Sequence, residues 1–332
     1  MSSTQDVVRP TPVRPRQRVD RATAVLAALV VAAVALRPVL PGLLADARLA
    51  TWSTLFVAVT VQALPFLVLG VAVSGAIAAF VPDDAVRRLL PRRPALAVPA
   101  AAAAGVVLPG CECGSVPIAR RLVDRGVTPA AALAFLLSAP AINPVVLVAT
   151  AVAFPGRPAV VAARLVAGLL ASVVVGMAWT VLGRQVPLRP GRIPAAPGGP
   201  RWRTFTDVAE HDLLSAGGFL VVGAAAAATL QTFVPRSVLD TFAGSGWLSV
   251  LALAVLAVLL AVCSEADAFI AASLRQFSPT AQLAFMVVGP MVDVKLVALQ
   301  AGTFGRRFAL VFAPLAFGCA LVSASVVGWW LL

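Results

Sequence analysis

Apolar residues run along this chain in long stretches separated by short polar segments, and those stretches define the expected elements. Runs at 22–44, 52–81, 128–153, 158–182, 212–234, 278–301 and 307–331 are each long enough to cross a hydrocarbon core about 30 Å thick, which takes roughly 20 helical residues. Two further apolar segments, 95–109 and 246–262, are shorter and run straight into polar sequence. The one long polar connection, GRQVPLRPGRIPAAPGGPRWR, starts at Gly183 and divides the chain in two.

The pattern repeats. PFLVLG (65–70) followed by AFVP (79–82) is echoed by GFLVVG (218–223) followed by TFVP (232–235). The short segment ending in CEC (111–113) matches one ending in CSEAD (263–267). TPAAALAFLLSAPAINP (128–144) aligns with SPTAQLAFMVVGPMVDV (278–294), which sets Asn143 opposite Asp293. Both copies end in a turn, FPGR (154–157) and FGRR (304–307). So many features in one order point to an internal duplication.

Composition agrees with the pattern: 60% of the 332 residues are hydrophobic and only 12% charged, against about a quarter charged in soluble domains. The expected class is an all-α integral membrane protein. Its net charge of +12 resides in arginines between apolar runs, as a positive-inside bias requires, so no nucleic-acid partner is expected. Residues 1–21 read as a disordered basic cytoplasmic tail. Residues 22–51 read as an extra N-terminal helix that is retained, since no small-residue cleavage site follows its apolar run.

Arginine placement sets the topology. A cytoplasmic N-terminus brings RRLLPRRP (87–94) back to the cytoplasm after two spans, and the linker carries Arg184, Arg189, Arg192, Arg201 and Arg203. An even number of crossings must then lie between them. Two spans plus a re-entrant hairpin satisfy this, with 95–109 entering, CEC at the tip and 117–125 returning. The expected architecture is about seven spans plus two re-entrant hairpins, with repeat 1 at 52–182, a cytoplasmic linker at 183–211 and repeat 2 at 212–332. Three spans and a hairpin per repeat make the two repeats inverted in topology. Eight or nine complete spans is the competing arrangement, and nine puts the linker outside.

Ionisable residues at membrane depth usually mark a pathway, and irregular backbone there must be buried in protein or line a watery cavity. Glu112, Glu265, Asp267, Asp293 and Lys295, the sole lysine, all lie at such positions. Asn143 precedes Pro144, and Asp293 follows Gly289 and Pro290, so both helices should break there. Capping of half-helices alone would also explain Asn143 and Asp293. Lys295 and Asp293, two positions apart, should diverge on an intact helix, which leaves Glu265 or Asp267 as the expected partner of Lys295, in a transport role or a static ion pair.

The thiols of Cys111 and Cys113 suit a soft transported ion, Cu(I), Zn(II) or trivalent arsenic, better than alkali cations. Two thiols do not complete a zinc site, and packing of small residues in a tight turn is the alternative. Cys263 and Cys319 read as buried free thiols, and His211 as a surface residue at a helix start. No HExxH, GxSxG or phosphate-loop motif occurs, so neither an enzyme nor a primary pump is expected, and no cofactor.

PGCECGSVPIARRLVDRGVTPAAALAFLLSAPAINP together with FMVVGPMVDVK resembles the ArsP/YraQ-type bacterial permease family, from about Leu55 onward. The resemblance implies an inner-membrane permease, some relatives of which export trivalent organoarsenicals. It assigns motif positions Cys111, Cys113, Gly114, Pro117, Pro140, Asn143, Pro144, Gly289, Pro290 and Asp293. The expected function is secondary transport or efflux of a soft metal, metalloid or organoarsenical-like solute through a midplane site. The alternatives are a permease for an unrelated solute with a structural CEC turn, or a membrane subunit of a larger complex. The expected partners are the small-molecule or ion substrate, the lipid bilayer and an accessory membrane or extracytoplasmic subunit.

Overall fold

The computed structural model describes residues 47–82, 93–107, 111–183, 185–186, 188, 200–233 and 246–332. The expected tail and first span (22–44), most of the linker, and the segment between the two spans near 240 lie outside the described residues. The chain divides into a unit of residues 1–51, of which only the opening of one helix is described, and a unit Trp52–Leu332. All that follows concerns the second unit.

Twelve helices are described, and no strand among the described residues: α1 Ala47–Phe80, α2 Pro94–Ala104, α3 Glu112–Asp124, α4 Pro129–Ile142, α5 Pro144–Ala153, α6 Pro158–Leu182, α7 Arg201–Phe233, α8 Gly246–Leu260, α9 Asp267–Ser273, α10 Pro279–Met291, α11 Val294–Phe304 and α12 Arg306–Leu331. Proline opens α2, α4, α5, α6 and α10. At the first helical position its missing N–H has no partner to lose, and its fixed φ suits the helix. The turns into α6 and α12 place Gly156 and Gly305 at φ 74° and 108°, a region where a side chain would clash with its own backbone.

Six helical stretches are long and apolar enough to cross a membrane. They correspond to six of the seven runs expected, the seventh being 22–44. Two, Pro129–Ala153 and Pro279–Phe304, are broken pairs (α4–α5 and α10–α11), and their most apolar windows are 78% and 83% buried. The corresponding windows of the other four are only 22–39% buried. The broken helices therefore form the centre, while α1, α6, α7 and α12 carry exposed Val57, Val174, Val222 and Val326 toward what must be lipid. The chain is a multi-pass membrane protein. Helices α2 and α8, of 11 and 15 residues, reach only about 16 and 22 Å, short of a full crossing.

Two expectations need correction. The helix expected to begin near 117 begins at Glu112, so Glu112 and Cys113 lie in its first turn, with Cys111 as its N-cap. Pro117 lies inside this helix, at its sixth residue, and so gives no N–H to the Cys113 carbonyl one turn earlier. The helix expected from 212 starts at Arg201, so His211 is an exposed mid-helix residue and not a helix-start residue. Those added turns are polar and invisible to a hydropathy reading. They are held by the Pro200 carbonyl, which accepts from the Arg203 and Thr204 N–H groups, and by Asp212, which accepts from Ser74 (2.8 Å) and Arg121 (3.3 Å).

Packing follows the same scheme in both halves. Helix α4 packs on α2 and α6 as α10 packs on α8 and α12, while α3 crosses to α11 and α9 crosses to α5. Helices α1 and α3 touch backbone to backbone: a Cβ on Gly70 would lie 2.3 Å from the Gly114 Cα. Only glycine permits that approach, which presses the start of α3 against α1.

Candidate functional site

Four chain breaks lie buried in the interior. Cys111 is the N-cap of α3, in extended conformation. Asn143 caps α5: its Oδ1 accepts from the Val146 N–H at 2.9 Å, while its Nδ2 donates to the Ala139 carbonyl at 2.9 Å. Asp293 caps α11, its Oδ1 accepting from the Leu296 N–H at 2.6 Å. The fourth break, 261–266, separates α8 from α9 and opens with Ala261 at φ 46°, a left-handed conformation uncommon for a residue with a Cβ.

Lys295 gathers three of these breaks. Its Nζ lies 2.5 Å from Glu112 Oε1 and 3.4 Å from Asp293 Oδ2, and it donates to the Ala261 carbonyl at 3.0 Å. Lys295 is 3% exposed, and Glu112 and Asp293 are fully buried. A charge taken from water this completely is tolerable only with partners this close. Glu112 Oε2 meets no donor among the described residues.

The expectation for Lys295 is therefore corrected twice. Its acid is Glu112, from the other half, and not Glu265 or Asp267. It also lies beside Asp293, because Asp293 is extended (φ −140°, ψ 168°) and the divergence of positions two apart applies only to an intact helix.

Asp267 instead pairs with Arg164 of α6, which sequence reasoning missed. Arg164 Nη2 donates to Asp267 Oδ2 at 2.9 Å and to the Ser264 carbonyl at 3.1 Å, while Nη1 donates to Thr150 Oγ1 at 2.8 Å. Arg164 is fully buried and Asp267 is 2% exposed. Each half thus sends a base to the acid at the break of the other half: Lys295 to Glu112 and Arg164 to Asp267. Glu265 is only partly buried and is not drawn into either cluster. Pro144 opens α5 directly after Asn143, and Pro290 lies in the last turn of α10, ahead of Asp293.

Three thiols adjoin the Lys295 cluster. Cys111, Cys113 and Cys263 are buried and free, and Cys111 is within hydrogen-bond reach of both others. They touch in pairs without converging: among the described residues no group of three or more His, Cys, Asp or Glu is arranged to hold a metal ion. Cys111 and Cys113 are buried and do not line the half-open cavity of about 80 Å³ that Gln62 of α1, Gln231 of α7, Ala261, Cys263 and Lys295 line. Its volume holds a few waters. The signal that could have found Cys263 was its alignment with Cys111 across the two halves.

A family model described as a predicted permease, ArsP_1, matches residues 48–329. The UPF0718 protein YcgR of Bacillus subtilis is 37% identical over 266 residues, 77% of this chain and 90% of that protein. A Streptococcus mutans protein whose name describes it as a subunit of a two-component membrane permease complex is 30% identical over 282 residues, 82% of this chain and 94% of its own length. No solved structure matches.

Proposed function

Since the chain belongs to this family of predicted permeases, we propose that it is a secondary permease of the bacterial inner membrane that moves a soft metal ion, metalloid or organoarsenical-like solute. Its site is the interior region of the four breaks, with Cys111 and Cys113 as sulfur ligands of the transported species. Glu112, Asn143, Pro144, Glu265, Asp267, Pro290, Asp293 and Lys295 complete the pathway. The observation that carries this reading is the burial of two thiols at the start of a half-helix, beside a lysine and two carboxylates that reach them from both halves. Soft thiolates select soft ions, and ionisable groups are retained at membrane depth where a solute or ion passes.

Repeat 1 (52–182) and repeat 2 (212–332) are, in this proposal, inverted copies with their site between them, the arrangement common to many secondary transporters. The matched order of helices and the reciprocal cross-half ion pairs support it. The N-terminus and the 183–211 linker are then cytoplasmic. Modification of a cysteine introduced at Arg192 by an impermeant reagent should occur only from the cytoplasmic side, and labelling from outside would reject the inverted arrangement. The name of the Streptococcus relative supports an accessory subunit for this chain as well.

The substrate class is tested in reconstituted vesicles with a panel of thiophilic metals and trivalent arsenicals. Cys111→Ser/Cys113→Ser should lower transport of the accepted species by about tenfold or more, because an alcohol is a poor ligand for soft ions. Equal rates for the double variant and the wild type for every transported compound would instead favour a permease for another solute, with CEC as a packing turn. That second reading draws on the complete burial of Cys111 and the 1% exposure of Cys113.

A further inference from the structure

The CEC thiols do not line the cavity, whereas Cys263 does. Cys263 is also within hydrogen-bond reach of Cys111, which has Cys113 within the same reach. We propose that Cys263 is the entry ligand of the thiol site: a thiophilic cation or trivalent arsenical is captured first by Cys263 and Cys111, then passes to Cys111 and Cys113. This rests on the thiol-transport reading above.

The pairwise arrangement fits a relay better than a resident site. No three ligand side chains among the described residues converge on one point, yet each sulfur contact supplies the two donors that Cu(I), Hg(II) or an aryl-arsenic(III) centre accepts. On capture the two thiols give up their protons, to water for a metal ion or with the arsenical's oxygen as one released water, and the transfer that follows is a ligand exchange. With the ion held by the Cys263 and Cys111 sulfurs, the Cys113 sulfur forms a bond to it, the Cys263–ion bond breaks, and the proton of the Cys113 thiol ends on Cys263. One sulfur–ion bond replaces another, one proton changes sulfur, and no electron is transferred, so no oxidant is required.

The two pairs differ in what holds them together. Cys111 and Cys113 belong to the start of one helix, α3, and stay together whatever the halves do. Cys263 lies at the break between α8 and α9, in the other half, so the entry pair opens when the halves move apart. Ala261, two residues earlier, gives its carbonyl to Lys295, which fixes this break against the same acids that flank the CEC pair. The capture pair is thereby sensitive to the relative motion of the halves, and the retaining pair is not.

Phenylarsine oxide, which binds closely spaced thiols, is a suitable probe on the full chain in nanodiscs, with Cys319→Ser as the common background. Capture is read by stopped-flow mixing and adduct mass, and transport in vesicles. Cys263→Ser should slow capture by about tenfold, since thiol reaction rates follow access, while the Cys111–Cys113 pair still forms the adduct. Cys113→Ser should capture at the wild-type rate but lose transport. Cys111→Ser, which leaves no pair in contact, should form no stable adduct.

Gln62→Trp narrows the cavity without altering a thiol and should slow capture as Cys263→Ser does, a check that does not depend on how the cysteine variants fold. Capture by Cys263→Ser as fast as by the wild type, or a wild-type rate in Gln62→Trp, overturns the entry role while leaving the CEC site standing. Absence of any adduct in the wild type overturns the thiol reading and the relay with it.

Discussion

Lys295→Met is expected to abolish transport and to lower the stability of the folded protein by about 3–5 kcal/mol, the usual cost of removing one member of a buried ion pair. Denaturant unfolding in detergent micelles measures the second effect and vesicle flux the first. The ammonium touches Glu112, Asp293 and the Ala261 carbonyl, so its loss strands two buried carboxylates and one carbonyl beside a cavity of only about 80 Å³. Glu112→Gln in the same chain removes one of the two stranded charges, that of the nearer carboxylate, and should restore part of the stability, because a buried pair replaced as a whole costs far less than one broken in half.

Transport should not return in that double variant. A merely static pair would recover both properties together, and that result would remove Lys295 and Glu112 from the pathway. Lys295→Arg is no neutral replacement either: a planar fork has fixed donor directions, and the three acceptors here surround a point charge.

The spans were legible because membrane crossing imposes length and apolarity on contiguous residues, and both are local properties. The breaks at Asn143 and Asp293 were legible for a similar reason: Asn-Pro and Gly-Pro interrupt a helix through the backbone of the same segment. The pairing of charges was not. Asp267 and Arg164 are separated by 103 positions, and Arg164 is one arginine inside an otherwise apolar run, which reads as a span whatever it contains.

Sequence proximity pairs Lys295 with an acid of its own half, whereas α3 crosses to α11 in the fold and brings Glu112 to it. The early start of α7 escaped for the opposite reason. Its first turns are polar, held by a capping carbonyl and by Asp212, and hydropathy cannot see a helix that does not need to be apolar. Cys263 was visible as a match to Cys111, but its contact with Cys111 and its place on the cavity belong to tertiary structure alone.

Arg164→Met should destabilise the protein on the same scale, about 3–5 kcal/mol, through loss of the other buried pair. Three acceptors depend on one guanidinium: Asp267 Oδ2, the Ser264 carbonyl and Thr150 Oγ1. Thr150 retains its bond to the Val146 carbonyl, so the damage falls on the break between α8 and α9. Arg164→Lys keeps the charge but cannot reach all three acceptors, and should cost about 1–3 kcal/mol, the penalty of one or two buried groups left unsatisfied. Adding Asp267→Asn to Arg164→Met removes the stranded carboxylate and should regain part of the loss. Wild-type unfolding by Arg164→Met would show that this pair holds nothing together. Arg164 fastens the break that carries Cys263, and Lys295 lies on the cavity itself. Since Asp267 and Glu112 both belong to the proposed pathway, the Arg164→Met/Asp267→Asn chain should regain stability without flux, as the Lys295→Met/Glu112→Gln chain should, and recovery of flux in the first would remove Asp267 from the pathway.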